Sequence, residues 1–320
     1  MGENTRIEWC DHTWNPWRGC EHATLPDGTK HPGCDHCYAE LQAKRNPSVL
    51  GIWGADGTRP VGVDKYWDLP RQWQKRAAKT GVRESCFPSF MDPFEDRPSL
   101  VPLRRRMFDV IAACPDVDFI LLTKRPQNAR RMLPAEHCAN VWLLASVSDQ
   151  LSANAMIPHV LNCRDLVSVL GASYEPAIGP VDWTAIQMPD ELEGLRFDAL
   201  RQHNDDRYGQ SDATLDWIIV GGESGPHARP FNLAWARSTI EQCAVARVAC
   251  FVKQVGAKPI ERYPSAWPNG YPHGDQSVRL IGDGCGTFSV TGLRDKKGGD
   301  WNEWPADLCV RQRPSVRIAV

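Results

Sequence analysis

Short apolar runs recur along the chain, each ending in a knot of polar residues. They are ESCFPSFMDPF from Glu84, VDFILLTKRP from Val117, NVWLLASVSDQ from Asn140, DLVSVLGASYEP from Asp165, LDWIIVGGESG from Leu215 and VACFVKQVG from Val248. Continuous Val/Ile/Leu runs of this length suit parallel strands buried on both faces. Between them, SLVPLRRRMFDVIAAC and FNLAWARSTIEQCAVA carry apolar residues at helical spacing. Strands alternating with helices at this cadence predict βαβ units. With TRIEW (residues 5–9) as a first strand, the count reaches about seven, which fits a partial or complete (β/α) TIM-like barrel better than a doubly wound sheet.

In such barrels the chemistry sits on loops at the carboxyl ends of the strands. Here those ends carry Asp92, Thr123-Lys124-Arg125, Ser146-Val147-Ser148-Asp149, Ser173-Tyr174-Glu175, Gly222-Glu223-Ser224 and Lys253-Gln254. One polar knot past a strand is the default for any loop. Six in succession predict one polar face with a purpose. Two segments break the rhythm. Residues 186–214, which include RQHNDDRYGQSD, read as an exposed insertion. Residues 258–320, rich in Pro, Gly and Trp, read as a C-terminal extension packed on a barrel that spans 1–257.

Composition narrows the class. The 320 residues are 42% hydrophobic and 24% charged with a formal net charge of -2, an ordinary globular balance, so any nucleic-acid contact must come from a local patch. No apolar run is long enough to span a bilayer, and the polar start MGENTRIEWC lacks the pattern of a signal peptide. Gly2 is not followed by Ser or Thr at position 6, where Arg6 stands, so the lipidation signal is incomplete. The expectation is a cytoplasmic protein. Twelve cysteines are too few for a disulfide scaffold, and Cys114, Cys243, Cys250 and Cys309 sit in apolar company that predicts small buried hydrophobes.

Only one cysteine cluster is dense. The loop GCEHATLPDGTKHPGCDHCYAE (residues 19–40) places Cys20, Cys34 and Cys37 among Pro, Gly and His. In a reducing compartment, clustered cysteines read as metal ligands or catalytic groups. A structural zinc would take these three with Cys10, His22, His31 or His36 as the fourth ligand. An iron–sulfur cluster on three thiolates would instead keep one iron open to a substrate or cofactor. Placement favours the cluster, since a loop after the first strand opens at the mouth of the barrel.

Three cysteines on that loop resemble the radical S-adenosylmethionine superfamily. More closely, the chain resembles the phage-associated three-Cys-motif family of unknown function, distantly similar to spore photoproduct lyases. IEWCDHTWNPWRGC, PGCDHCYAE, FMDPFED, FILLTKRP, NVWLLASVSDQ, YEPAIGP, DWIIVGGESGPHARP, FVKQVG and WNEWPA carry the resemblance. It implies a [4Fe–4S] cluster on Cys20, Cys34 and Cys37, S-adenosylmethionine (SAM) on the open iron, and an external electron donor. SAM would be cleaved to a 5′-deoxyadenosyl radical acting on a nucleobase, nucleotide or nucleic acid, in lesion repair or base modification. The alternative is a zinc- or cluster-stabilised protein that binds nucleic acid or a partner without turnover. The sequence departs from the superfamily pattern in two places. Thirteen residues separate the first two cysteines where three are usual, and His36 occupies the usual aromatic position, with Tyr38 after Cys37.

Further candidates follow from the strand ends. Ser146, Ser148 and Asp149 resemble the strand-four motif that contacts the cofactor ribose, although Ser and Asp also cap helices. Gly221 and Gly222 would let backbone approach a ligand, with Glu223 and Ser224 facing cofactor or substrate; the superfamily's own Gly-Gly-Glu follows an early strand, not a late one. Glu175 joins the cofactor set. Lys124, Arg125 and Lys253 are candidate receptors for a substrate phosphate or carboxylate. Glu223, Lys253 and Tyr38 are the candidate catalytic groups. Arg104-Arg105-Arg106 with Arg130-Arg131 would make either a basic stripe for a nucleic-acid backbone or a solvated helix face.

Overall fold

A computed structural model describes residues 2–188, 194–202, 213–261, 279–282 and 287–315. The chain divides into two compact units, one of residues 1–146, 156–171 and 315–320, the other of residues 147–155 and 172–314.

In the first unit, strand β1 (His12–Thr13) leads into the cysteine loop and then helices α1 (Tyr38–Arg45), α2 (Pro47–Leu50), α3 (Asp64–Trp67) and α4 (Leu69–Thr80). Strand β2 (Glu84–Phe87), helix α5 (Val101–Ala112), strand β3 (Val117–Thr123), helix α6 (Pro126–Met132) and strand β4 (Cys138–Val147) follow. Helix α7 (Gln150–Leu161) and strand β5 (Val167–Tyr174) contribute residues to both units. The second unit adds the short hairpin β6 (Ile186–Gln187) and β7 (Arg196–Phe197), then β8 (Trp217–Gly221), β9 (Phe231–Asn232), α8 (Leu233–Ala246), β10 (Ala249–Gln254), β11 (Pro259–Glu261), β12 (Arg279–Gly282) and β13 (Phe288–Thr291).

The main sheet has seven strands in the order β1-β2-β3-β4-β5-β8-β10, which is chain order. Pairs β1–β2, β2–β3, β3–β4 and β8–β10 run parallel. A doubly wound sheet would reverse its strand order at a switch point. None is present here, so the fold is a partial (β/α) barrel, as the sequence pattern predicts. Six of the seven expected strands lie where the apolar runs place them. The first does not. Residues 5–9 form turns, and the pairing strand is His12–Thr13, held against Cys86 and Phe87. All eight residues of β5, and all of β3 but Leu122, are buried.

The expected helix around Arg104 is α5, whose buried stripe of Met107, Phe108, Val110 and Ile111 includes Arg104 itself. Arg104 is sequestered there, its Nε donating to the carbonyl oxygen of Pro93 at 2.8 Å and its Nη2 to that of Glu95 at 2.6 Å. Helix α8 starts on Asn232, whose side chain accepts from the Ala234 amide. Within the 186–214 segment exposure is not uniform. Ile186, Ala199 and Leu200 are buried, while most of RQHNDDRYGQSD lies outside the described residues. In the tail, Trp304 and Leu308 are buried, and residues 262–278 lie outside the described set. Cys114, Cys243 and Cys250 are buried as expected, but Cys309 is exposed just after the 3-10 turn Ala306–Leu308; all eleven described cysteines are free thiols. Among the described residues no helix is long and apolar enough to cross a membrane.

Candidate functional site

The cysteine loop is shaped by its own backbone. Gly19 donates to the Phe90 carbonyl at 2.9 Å and has φ +100°; a Cβ there would stand 2.7 Å from the Thr58 carbonyl oxygen. Glycine is therefore required one residue before Cys20. The thirteen residues between Cys20 and Cys34 turn back on themselves. Thr24 and Lys30 form an antiparallel bridge, Leu25 and Gly28 close the turn, and Asp27 accepts from the Thr29 amide and hydroxyl. The long spacer is thus a hairpin that returns the chain to its starting point.

His31, fully buried, then fixes the return. Its Nδ1 accepts from the Gly33 amide at 3.0 Å and its Nε2 donates to the Ser146 carbonyl oxygen at 3.0 Å. Both partners demand the neutral Nε2–H tautomer. Cys34 ends the short turn Pro32–Cys34, and Cys37 stands at the N-cap of α1.

Cys20, Cys34 and Cys37 line one cavity of about 110 Å³ within the first unit, together with Tyr38, Lys124 and Arg125. Its floor comes from residues just past β2 and at the end of β3, so it opens at the carboxyl ends of these strands. Asp92, buried, organises the floor. Its Oδ1 accepts from the Thr123 hydroxyl at 2.7 Å and the Phe94 amide at 3.0 Å; its Oδ2 accepts from the Lys124 amide and from Arg125 Nη1, both at 3.1 Å. Arg125 also donates from Nη1 to Cys20 Sγ at 3.6 Å and from Nη2 to the Glu21 carbonyl oxygen at 3.0 Å. The Lys124 ammonium makes no hydrogen bond or ion pair among the described residues. Tyr38 is half-exposed, donating its hydroxyl to the Ser89 carbonyl at 2.6 Å.

Burial pushes the Cys20 thiol up to about 12, with the Asp92 carboxylate adding to the rise and Arg125 opposing it. Burial also raises Cys34, against the pull of Lys124. Such thiols ionise when a metal replaces the proton. Of the other proposed zinc ligands, His22 lines the same cavity and pairs with Glu40 at 2.8 Å, His31 has both ring nitrogens committed, Cys10 is buried beside Cys86, and His36 is not on the cavity wall. Among the described residues, no three His, Cys, Asp or Glu side chains are grouped to hold one metal ion.

The strand-end candidates divide between the units. Among the described residues, the buried hydroxyls of Ser146, in the first unit, and Ser148, in the second, have no hydrogen-bond partner. Asp149 caps α7, accepting from the Ser152 amide at 2.9 Å and hydroxyl at 2.7 Å. Lys253 Nζ donates to Glu175 Oε1 at 2.5 Å, and Gln254 reaches the same oxygen and the Gly222 carbonyl. Glu223 is buried and bidentate with Arg229, which donates from Nη2 at 2.8 Å and Nε at 3.1 Å. Gly221 ends β8, and Gly222 meets the chain's own backbone: a Cβ there would lie 2.7 Å from the Val255 carbonyl oxygen. Ser224 is exposed. Within the basic stripe, Arg104 is buried and Arg105 is exposed, while Arg106, Arg130 and Arg131, each about half exposed, pair with Asp64, Asp165 and Asp96.

Sequence reading missed the organising roles of Asp92 and His31. The Asp in MDPF and the His before PGC were visible, but their partners lie 33 and 115 positions away.

The profile of a family described as "Protein of unknown function (DUF5131)" matches residues 4–298. The chain belongs to that family. No curated protein matches it. Among solved structures, it is similar to spore photoproduct lyase complexed with dinucleoside spore photoproduct, at 11% identity and TM-score 0.43, over 92% of this chain and 72% of that one. A form of that lyase with bound AdoMet and dinucleoside spore photoproduct matches at 12% identity and TM-score 0.41 over the same shares.

Proposed function

We propose that the DUF5131 chain is a radical SAM-type iron–sulfur enzyme that acts on a nucleobase, nucleotide or nucleic acid. The observation that carries the reading is the convergence of three free thiols, from a loop after β1, on one cavity at the carboxyl ends of parallel strands.

The donor set suits a [4Fe–4S] cluster better than one zinc. Zinc draws its thiolates in to about 2.3 Å, so three would have to crowd around a single point. A cluster takes one thiolate per iron from separated positions on a cavity wall. With SAM bound, the cluster would supply one-electron cleavage to a 5′-deoxyadenosyl radical, the electron coming from an external donor.

The chain's own residues then have distinct work. Cys20, Cys34 and Cys37 hold the metal. His31 and Gly19 fix the loop that presents them. Lys124 offers an uncommitted ammonium to an anionic group, such as a phosphate of the substrate. Tyr38, beside Cys37 and hydrogen-bonded to Ser89, stands where it can face the reacting molecule. Ser146 in the first unit, and Ser148, Glu175 and Lys253 in the second, are the further candidates for contact with a ligand. The nucleic-acid class of substrate rests on the sequence resemblance, and the phosphate receptor agrees with it.

The test is anaerobic reconstitution with iron and sulfide, reduction with dithionite in the presence of SAM, and chromatography for 5′-deoxyadenosine. Wild type should form it and Cys34→Ala should not. No product from a protein carrying its full complement of iron would overturn the proposal.

A further inference from the structure

We infer that Arg125 is a positioning residue for the Cys20 ligand, setting how readily a cluster at the three thiols accepts an electron. This rests on the cluster reading of the cavity and assigns to Arg125 a role other than meeting a substrate anion. The two neighbouring cations on the cavity wall differ in how they are held. Lys124 keeps its ammonium uncommitted. Arg125 is buried, with Nη1 shared between Asp92 Oδ2 at 3.1 Å and Cys20 Sγ at 3.6 Å, and Nη2 on the Glu21 carbonyl oxygen at 3.0 Å. Its backbone amide is tied to the Thr123 hydroxyl at 2.8 Å. A guanidinium spent in this way is anchored inside the protein, and the face it presents to the cavity is the one on the sulfur.

The consequence is electrostatic. One-electron reduction makes a thiolate-held cluster more negative, so a cation and an N–H donor at one ligating sulfur stabilise the reduced form and raise the potential. Asp92 acts in the opposite sense, being a buried anion that shares the same Nη1 with the Cys20 sulfur. Arg125 and Asp92 therefore form an opposed pair, and removing each charge should move the potential in opposite directions. A merely structural role would not produce opposite signs.

The experiment is a redox titration of the reconstituted full-length chain, followed by electron paramagnetic resonance of the reduced cluster, with iron content measured for each variant. Arg125→Gln should make reduction about tenfold less favourable, ~59 mV for one electron. Asp92→Asn should shift it the other way, and Arg125→Lys, which keeps the charge without the fork, should lie between wild type and Arg125→Gln. Arg125→Gln with wild-type iron and an unchanged or higher potential overturns the assignment. If that variant holds no cluster, an Asp92→Asn potential that fails to rise overturns it equally. A wild-type chain that takes up no cluster overturns the cluster reading and this assignment together, whereas flat potentials in iron-replete variants overturn this assignment alone.

Discussion

His31 donates its Nε2–H to the carbonyl oxygen of Ser146 at 3.0 Å, joining the cysteine loop to the end of β4 across 115 positions of sequence. The ring's other nitrogen accepts from Gly33, at the turn that delivers Cys34. One imidazole thus places a ligand loop on a strand end.

Replacing it should be felt in both stability and metal uptake. His31→Ala removes one buried and one partly buried hydrogen bond and leaves the Ser146 carbonyl without the imidazole donor, a loss of about 2–3 kcal/mol. Urea unfolding should show that loss, and iron retained per chain after reconstitution should fall. A variant with wild-type stability and iron would show that the loop is held by other contacts.

Gly19→Ala tests the other end of the loop. A Cβ at φ +100° and 2.7 Å from the Thr58 carbonyl oxygen forces the backbone to move, at a cost of about 1–3 kcal/mol. Because Cys20 is the next residue, iron content should drop along with the unfolding midpoint. Loss of stability with full iron content would separate the glycine from the ligand.

Much of this was legible in the sequence, for identifiable reasons. Strands β3 and β5 are buried along nearly their whole length, so they read as continuous apolar runs. β1 is only two residues long and carries no pattern, which is why residues 5–9 looked the better strand. The spacer between Cys20 and Cys34 departs from the superfamily spacing, and LPDGT within it holds the turn that folds it into a hairpin. Gly222 could not be read correctly from its pattern, since close approach by a ligand and by Val255 ask for the same residue. The division of labour between Lys124 and Arg125 depends on Asp92, which no local rule connects to them.

Lys124→Gln should leave fold and iron content unchanged and weaken binding of the anionic ligand. A lost hydrogen bond to a charged group corresponds to roughly a tenfold or larger rise in KM. KM for a phosphate-bearing substrate should rise while that for the matching nucleoside stays level. Equal effects on both would remove the phosphate from the account.

Acid should weaken the base of β2. Glu84 accepts from Arg76 Nε and Nη2, both at 2.6 Å, and its Oε2 lies 2.6 Å from His12 Nε2. Arg76 first, and His12 after it, hold its carboxyl below the usual 4.5 against a partial burial that raises it. A depressed carboxylate stabilises the fold fully above its unfolded value of 4.5, and that contribution is lost as pH falls through the folded value. The difference in unfolding free energy between wild type and Glu84→Gln should therefore be constant near neutrality and shrink below pH 4.5. Arg76 is half in solvent, so the difference should also fall with salt. A difference independent of pH would assign the effect of the substitution to packing.

Cys20, Cys34 and Cys37 are proposed to hold a cluster with one iron open to SAM. Electron paramagnetic resonance of the dithionite-reduced, anaerobically reconstituted protein, recorded with and without SAM and paired with metal analysis, tests it most directly. About four irons per chain and a cluster signal that changes when SAM is added are expected. One tightly held zinc per chain, with no cluster signal under either condition, would contradict it.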